Sequence, residues 1–219
     1  MSTLYFDHNA TTPLDPLVLE AMLPYMGANF ANASATYTAG REARRAVEQA
    51  REQVAAAIDA DPSEVFFTAS GSEANNLLVR GYADAWLADA GKPAGVVCTS
   101  IEHPCVAEPV RALGRAGWAV SELAVNESGV VDMTGLSAQP EQTCLLSVMS
   151  ANNETGVLQP VAQLAGQFKA DRDPACCFHT DAVQAFGKHP LSFRQLNAAG
   201  VDALTLSAHK IGGPKGAAA

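Results

Sequence analysis

Near the end of the chain, Leu204-Thr205-Leu206 runs into Ser207-Ala208-His209-Lys210, followed by Ile211-Gly212-Gly213-Pro214-Lys215-Gly216. This pattern places one lysine at the end of a buried strand with a flexible turn behind it. Shelter from bulk water favours the neutral amine. A neutral amine attacks a carbonyl, the first step of Schiff-base chemistry with a cofactor such as pyridoxal phosphate (PLP). The same residues also suit a surface lysine whose stem lies along apolar groups.

Four other clusters carry comparable chemistry. Ser70-Gly71-Ser72 opens a helix, where free N–H groups and the positive dipole end favour an anion and small residues let a phosphate approach. It serves equally well as a plain helix cap. No Gly-Lys-Ser/Thr loop accompanies it, which disfavours nucleotide hydrolysis. Asp181 directly follows a strand at 176–179. A carboxylate buried there needs a partner. A pyridinium N–H supplies one, and the pairing keeps the ring protonated as an electron sink; capping a helix that starts near 182 is the alternative. His103, at another strand end, offers a planar ring to stack on an aromatic cofactor or to move a proton, or is simply structural. Asn152-Asn153-Glu154-Thr155-Gly156 offers uncharged amides to a carboxylate or phenolic oxygen, or forms a polar turn. His103, His179 and His209 lack close metal-ligand spacing, so no metal site is expected.

The elements that position these residues alternate between strand-like and helix-like. Helical composition covers 41–58 and breaks at Asp61-Pro62. A strand is predicted at 64–68. A helix from Ser70 to about 86 opens on a Ser70/Glu73 capping box. Further strands are predicted at 95–99, 118–123, 144–149, 176–179 and 203–206, with helices at 104–113 and 160–169. The stretch 126–142 reads as irregular. Strands alternating with helices of this size predict an α/β fold, a mainly parallel sheet with helices on both faces. In such sheets ligands gather at the carboxyl ends of strands. Ser70-Gly71-Ser72, Glu102-His103, Asn152-Asn153-Glu154, Asp181 with Gln184, and Ser207-His209-Lys210 all follow predicted strands, so one rim is expected to hold a single site.

Composition narrows the class. The chain has 219 residues, 48% apolar and 17% charged, normal for a globular domain with a real core. The net charge of −9, without a basic stretch, argues against nucleic acid as a partner. The apolar runs are far short of a membrane span, and the N-terminus lacks a secretory pattern. The five cysteines, Cys98, Cys105, Cys144, Cys176 and Cys177, form no disulfide framework. Cys176 and Cys177 fall in a strand, so their thiols are expected on opposite faces. A reducing, cytoplasmic location is expected.

Assembled, these residues resemble the cysteine desulfurase family, within the class V aminotransferase-like, fold-type I PLP enzymes. The resemblance covers essentially the whole chain. It rests on Tyr5-Phe6-Asp7-His8-Asn9-Ala10-Thr11-Thr12-Pro13, Phe67-Thr68-Ala69-Ser70-Gly71-Ser72-Glu73-Ala74-Asn75-Asn76 and Glu102-His103-Pro104. It continues through Asn152-Asn153-Glu154-Thr155-Gly156, His179-Thr180-Asp181-Ala182-Val183-Gln184 and Ser207-Ala208-His209-Lys210. Each motif is of moderate specificity; six in family order are highly specific.

The resemblance implies roles by position. Lys210 would hold PLP covalently and shuttle protons, and Asp181 would pair with the pyridine nitrogen. His103 would stack on the ring and assist proton transfer, and Gln184 would hydrogen-bond the phenolic oxygen. Gly71, Ser72, Ser207 and His209 would hold the phosphate, and Asn153 would touch cofactor and substrate. The implied reaction takes sulfur from L-cysteine, giving L-alanine and an enzyme persulfide. That sulfur would pass to an acceptor such as an iron–sulfur scaffold, for iron–sulfur cluster or thio-cofactor biosynthesis. A homodimer is implied.

Tyr37 stands where the family usually has His, and Cys105 where a small residue is common. The family's sulfur-accepting cysteine, its substrate-binding arginine and its small C-terminal domain lie beyond the position of Ala219. Residues 1–219 are therefore expected to be the PLP-binding large domain of a longer enzyme, inactive when isolated. The alternatives are another class V enzyme, such as a selenocysteine lyase or aminotransferase, or a short non-catalytic protein that retains the fold.

Overall fold

Five short strands, β1 (Gly95–Thr99), β2 (Ala119–Leu123), β3 (Thr143–Ser147), β4 (Cys177–Asp181) and β5 (Ala203–Thr205), form one sheet in the order β2-β1-β3-β4-β5. Every pairing is parallel. The coordinates are a computed structural model, which describes residues 4–137, 142–170, 172 and 174–219. β1, β3 and β4 are buried along their whole length, as expected of strands covered on both faces.

Helices supply the two covers. α3 (Gly71–Ala90) and α4 (Pro104–Arg115) pack on one face, where Val79, Val106 and Val110 meet Val96, Cys98 and Cys177. α6 (Val161–Ala170) covers the other, where Leu164 and Phe168 meet Val97, Leu146 and Phe178. Phe168 and Phe178 are fully buried in edge-to-face contact at 5.9 Å between centroids. Burying each ring contributes on the order of 2–3 kcal/mol. Cys176 and Cys177 divide between the two faces, as strand alternation requires. His179 is fully buried within β4, with Nδ1 2.8 Å from Ser147 Oγ and Nε2 3.1 Å from Thr205 Oγ1. It braces β3, β4 and β5, and burial holds its imidazole down to about 3, so it stays neutral.

The α/β reading holds, with four corrections. The segment 64–68 is not a sheet strand. Pro62–Glu64 forms a 3-10 turn, Phe66 is 71% exposed, and Thr68 pairs only with Ala218 in an isolated antiparallel bridge. β-prone residues without a neighbouring strand to pair with form no ladder. The stretch 126–142 contains a short helix, α5 (Met133–Ser137), while 138–141 lie outside the described residues. Two further helices are present, α1 (Pro16–Met26) and α7 (Phe193–Ala198). α2 (Thr38–Ile58) begins three residues before its predicted start. No described helix is long and apolar enough to cross a membrane.

Candidate active site

The carboxyl ends of β1, β3, β4 and β5, with the start of α3, enclose a cleft of about 260 Å³. Gly71, Ser72, His103, Asn153, Asp181, Gln184, Ser207, His209 and Lys210 all line it. The sequence-predicted residues thus come together although they span 140 positions of the chain, from 71 to 210.

Asp181 is the last residue of β4 rather than the first after it, and is only 5% exposed. Its Oδ1 accepts from Val183 N at 3.0 Å and its Oδ2 from Asn75 Nδ2 at 2.8 Å. Burial pushes its carboxyl up, and the hydrogen bonds from Val183 and Asn75 oppose that shift. The local turn cap and a cleft-facing carboxylate are therefore both present.

His103 is the N-cap of α4. Its Nδ1 accepts from Cys105 N at 3.2 Å and lies 2.9 Å from Cys105 Sγ. A backbone donor on Nδ1 assigns the neutral ring's proton to Nε2.

Ser70 caps α3, with Oγ accepting from Glu73 N at 3.1 Å. The capping box is displaced by one residue, because Glu73 Oε2 accepts from Ala69 N at 2.7 Å instead of from Ser70 N. Among the described residues, the N–H groups of Gly71 and Ser72 have no protein acceptor, as the first turn of a helix leaves them. A Cβ on Gly71 would sit 3.3 Å from Val183 Cγ2 and 3.5 Å from Ser207 Cβ. Glycine lets the start of α3 approach the ends of β4 and β5.

Lys210 sits five residues beyond β5, in the 3-10 turn Ala208–Lys210, and is half-buried rather than sealed at a strand end. Its Nζ donates to Ala10 O at 3.0 Å and also to Asn9 O. Burial lowers its pKa, while the Asp181 and Asp7 carboxylates oppose the shift. His209 Nδ1 lies 3.0 Å from Thr11 Oγ1, and burial followed by the Lys210 and Lys215 charges lowers its pKa. Ser207 is 4% exposed. Gln184 Nε2 donates to Asn9 O at 2.9 Å, and Gln184 Oε1 accepts from Lys188 Nζ at 2.6 Å. Asn153 O accepts from Asn9 Nδ2 at 3.1 Å.

Three residues here were not singled out from the sequence. Asn9 ties Asn153, Gln184, Lys188 and Lys210 together. Asn75 holds Asp181, and its signal was a polar residue on the Asn75-Val79-Ala83 stripe of α3. Glu102, noted only beside His103, ties the end of β1 to β3. Its Oε1 accepts from Thr99 Oγ1 at 2.7 Å and Met149 N at 2.6 Å.

Burial pushes the Glu102 carboxyl up to about 8, with the Thr99 hydroxyl opposing, so it is largely protonated at neutral pH. A carboxyl that holds its proton more tightly in the folded state costs the fold stability as pH rises from its unfolded to its folded pKa. Glu102 therefore lowers the stability of the fold progressively as pH rises from about 4.5 to about 8. Glu102→Gln is expected to abolish that slope, so the variant gains on wild type as pH rises. Urea unfolding at several pH values measures the difference, and a wild-type-to-variant gap independent of pH contradicts the assignment.

The aminotransferase class-V family model matches residues 4–219. The chain belongs to that family. Among its class-V relatives, the mitosomal cysteine desulfurase of Trachipleistophora hominis is 42% identical over 218 residues, covering 99% of this chain and 48% of the relative. A solved NifS-like protein superposes with a TM-score of 0.92 at 36% identity, covering 98% of this chain and 57% of that one. SspA in complex with cysteine superposes at 0.89 with 37% identity, covering 99% and 60%. The chain spans about half the length of the curated relatives it matches.

Class-V enzymes of this group are PLP-dependent, and the cleft has the donor set for that cofactor. Unpaired N–H groups at the start of a 20-residue helix, with a serine and an imidazole beside them, suit a phosphate. A buried carboxylate suits a ring N–H, and a half-buried amine suits a carbonyl carbon. A larger apolar groove of about 500 Å³, between α2, α3 and β5, holds none of these groups.

Proposed function

We propose that the chain is the PLP-binding large domain of a cysteine desulfurase that takes sulfur from L-cysteine, leaves L-alanine and hands the sulfur on as a persulfide. The observation that carries this reading is the convergence of the Lys210 amine, the buried Asp181 carboxylate and the start of α3 on one cleft. The identities to cysteine desulfurases support the choice of reaction within the class-V family.

When bound, PLP supplies a protonated ring that accepts the electron pair released at the substrate's α-carbon. Lys210 anchors the cofactor through its amine and moves the proton at that carbon. Asp181 accepts the ring N–H and keeps it protonated. Gly71 and Ser72 N–H, Ser207 and His209 bind the phosphate. Gln184 donates to the phenolic oxygen, and Asn153 contacts the cofactor and the substrate. His103 covers the ring and moves a proton through Nε2.

The substrate's C–S bond breaks as a thiolate takes the sulfur. A new S–S bond forms, the C–S electron pair stays on carbon, and a proton completes alanine. The accepting sulfur is oxidised to the persulfide level as the carbon is reduced, so no outside oxidant is required. Cys98, Cys144 and Cys177 are buried with thiols pushed up to about 12, so they do not serve as this thiolate. The eventual acceptor is a carrier protein such as an iron–sulfur scaffold. The same reading carries a homodimer, supported by the exposed Leu17, Met26 and Phe30 in and beside α1, and a cytoplasmic location.

The test supplies L-cysteine and a thiol acceptor to the PLP-loaded full-length enzyme, of which residues 1–219 are the proposed large domain. Alanine and sulfane sulfur in equal amounts are expected. A keto acid as product, or alanine from selenocysteine but none from cysteine, overturns the reading.

A further inference from the structure

Asn75 is fully buried on a helix face otherwise made of Val79 and Ala83. A buried amide on an apolar stripe is uncommon and needs partners. Its Nδ2 donates to Asp181 Oδ2 at 2.8 Å and to Cys105 Sγ at 3.0 Å, while its Oδ1 has no partner among the described residues. Turning the amide over would press Oδ1 against a carboxylate oxygen, so Asp181 fixes its orientation. An apolar residue of the same size would leave no orphaned acceptor. The position therefore tolerates an unpaired oxygen in order to bring an N–H to this carboxylate.

We propose that Asn75 is the positioning residue for Asp181: with Val183 N–H on the other oxygen, its amide fixes the plane of the carboxylate and keeps it ionised for the cofactor's ring N–H. This rests on the PLP reading of the cleft. Asn75 acts through Asp181 and lies outside the set of cleft-lining residues. The titratable groups facing Asp181 are His103 and Cys105 at the start of α4, Glu102 just before it, and Lys210 on the turn beyond β5. Removing the Asn75 donor raises the Asp181 carboxyl further in the direction burial already drives it. Cofactor retention then weakens most toward acid pH, where the carboxylate is lost first.

Two measurements test this. PLP dissociation constants are determined for wild type and Asn75→Leu from about pH 6 to about pH 9. The Asn75 side-chain amide resonance of the cofactor-free wild-type protein is followed by NMR as the pH is lowered until Asp181 protonates, which requires no variant to fold. The Leu variant is expected to bind PLP about 10- to 100-fold more weakly, the loss of a hydrogen bond to a charged group, with the gap widest at the acid end. The amide resonance is expected to titrate with Asp181. Equal affinities, a gap constant with pH, or an amide resonance that stays flat overturns the role of Asn75. If wild type and variant alike fail to bind PLP, the cofactor reading falls, and this inference with it.

Discussion

Lys210→Ala is expected to leave no cofactor attached after borohydride reduction and to lower cysteine turnover by at least about 10³-fold, since anchor and proton carrier go together. The cleft contains one amine suited to this work. Burial lowers the pKa of Lys210, and the turn Ala208–Lys210 sets it at the same cleft as Asp181. Lys188 is nearby, but its Nζ is held by Gln184 Oε1 at 2.6 Å and Asn9 Oδ1 at 3.2 Å. The fold is expected to survive the change, because Lys210 is half-buried and its hydrogen bonds go to Asn9 and Ala10 at the N-terminal edge. Mass spectrometry of the reduced protein and a cysteine-turnover assay, both on the full-length enzyme, measure the two effects. Turnover near wild type contradicts the role.

Asp181→Asn is expected to move activity and stability in opposite directions. The amide matches the carboxylate in shape but cannot hold a ring nitrogen in its protonated form. Turnover is expected to fall at least about 100-fold, the loss of one charge-assisted hydrogen bond together with the electron sink it maintains. Stability of the cofactor-free protein is expected to hold or rise at neutral pH. Burial raises the Asp181 carboxyl, and such an acid costs the fold stability at pH values above its unfolded value. The asparagine carries no such cost. Asn75 can also turn its orphaned Oδ1 toward the new amide donor. Thermal unfolding of the cofactor-free proteins and turnover of the loaded ones form the paired measurement. A variant less stable than wild type at neutral pH, or one of normal turnover, contradicts this account of the carboxylate.

Much of the fold was legible because its three central strands are buried on both faces and α3 and α4 start at readable caps. β1 matches its predicted span, and α4 starts at Pro104 as predicted. The segment 64–68 misled because Val65, Phe66 and Phe67 favour strands, while only tertiary pairing decides whether a ladder forms. α1 escaped because it has no buried residue, so no apolar stripe marks a face that packs on the sheet. In the cleft, the motif residues were legible from their types, and those behind β1, β3, β4 and β5 also from their places after strands. Asn75 was passed over, because one polar residue on the Asn75-Val79-Ala83 stripe has no evident role until the packing of α3 brings it to Asp181. Nor was Asn9, whose contact with Lys210 spans 201 positions and exists only once the N-terminal segment folds across the strand ends.

Lys210 is the proposed anchor of the cofactor in this cleft. Borohydride reduction of the PLP-loaded protein, followed by peptide mapping, tests it most directly. The pyridoxyl adduct is expected on Lys210. An adduct on Lys188, which shares Asn9 with it, or on Lys215, which lies beside His209, would contradict the assignment.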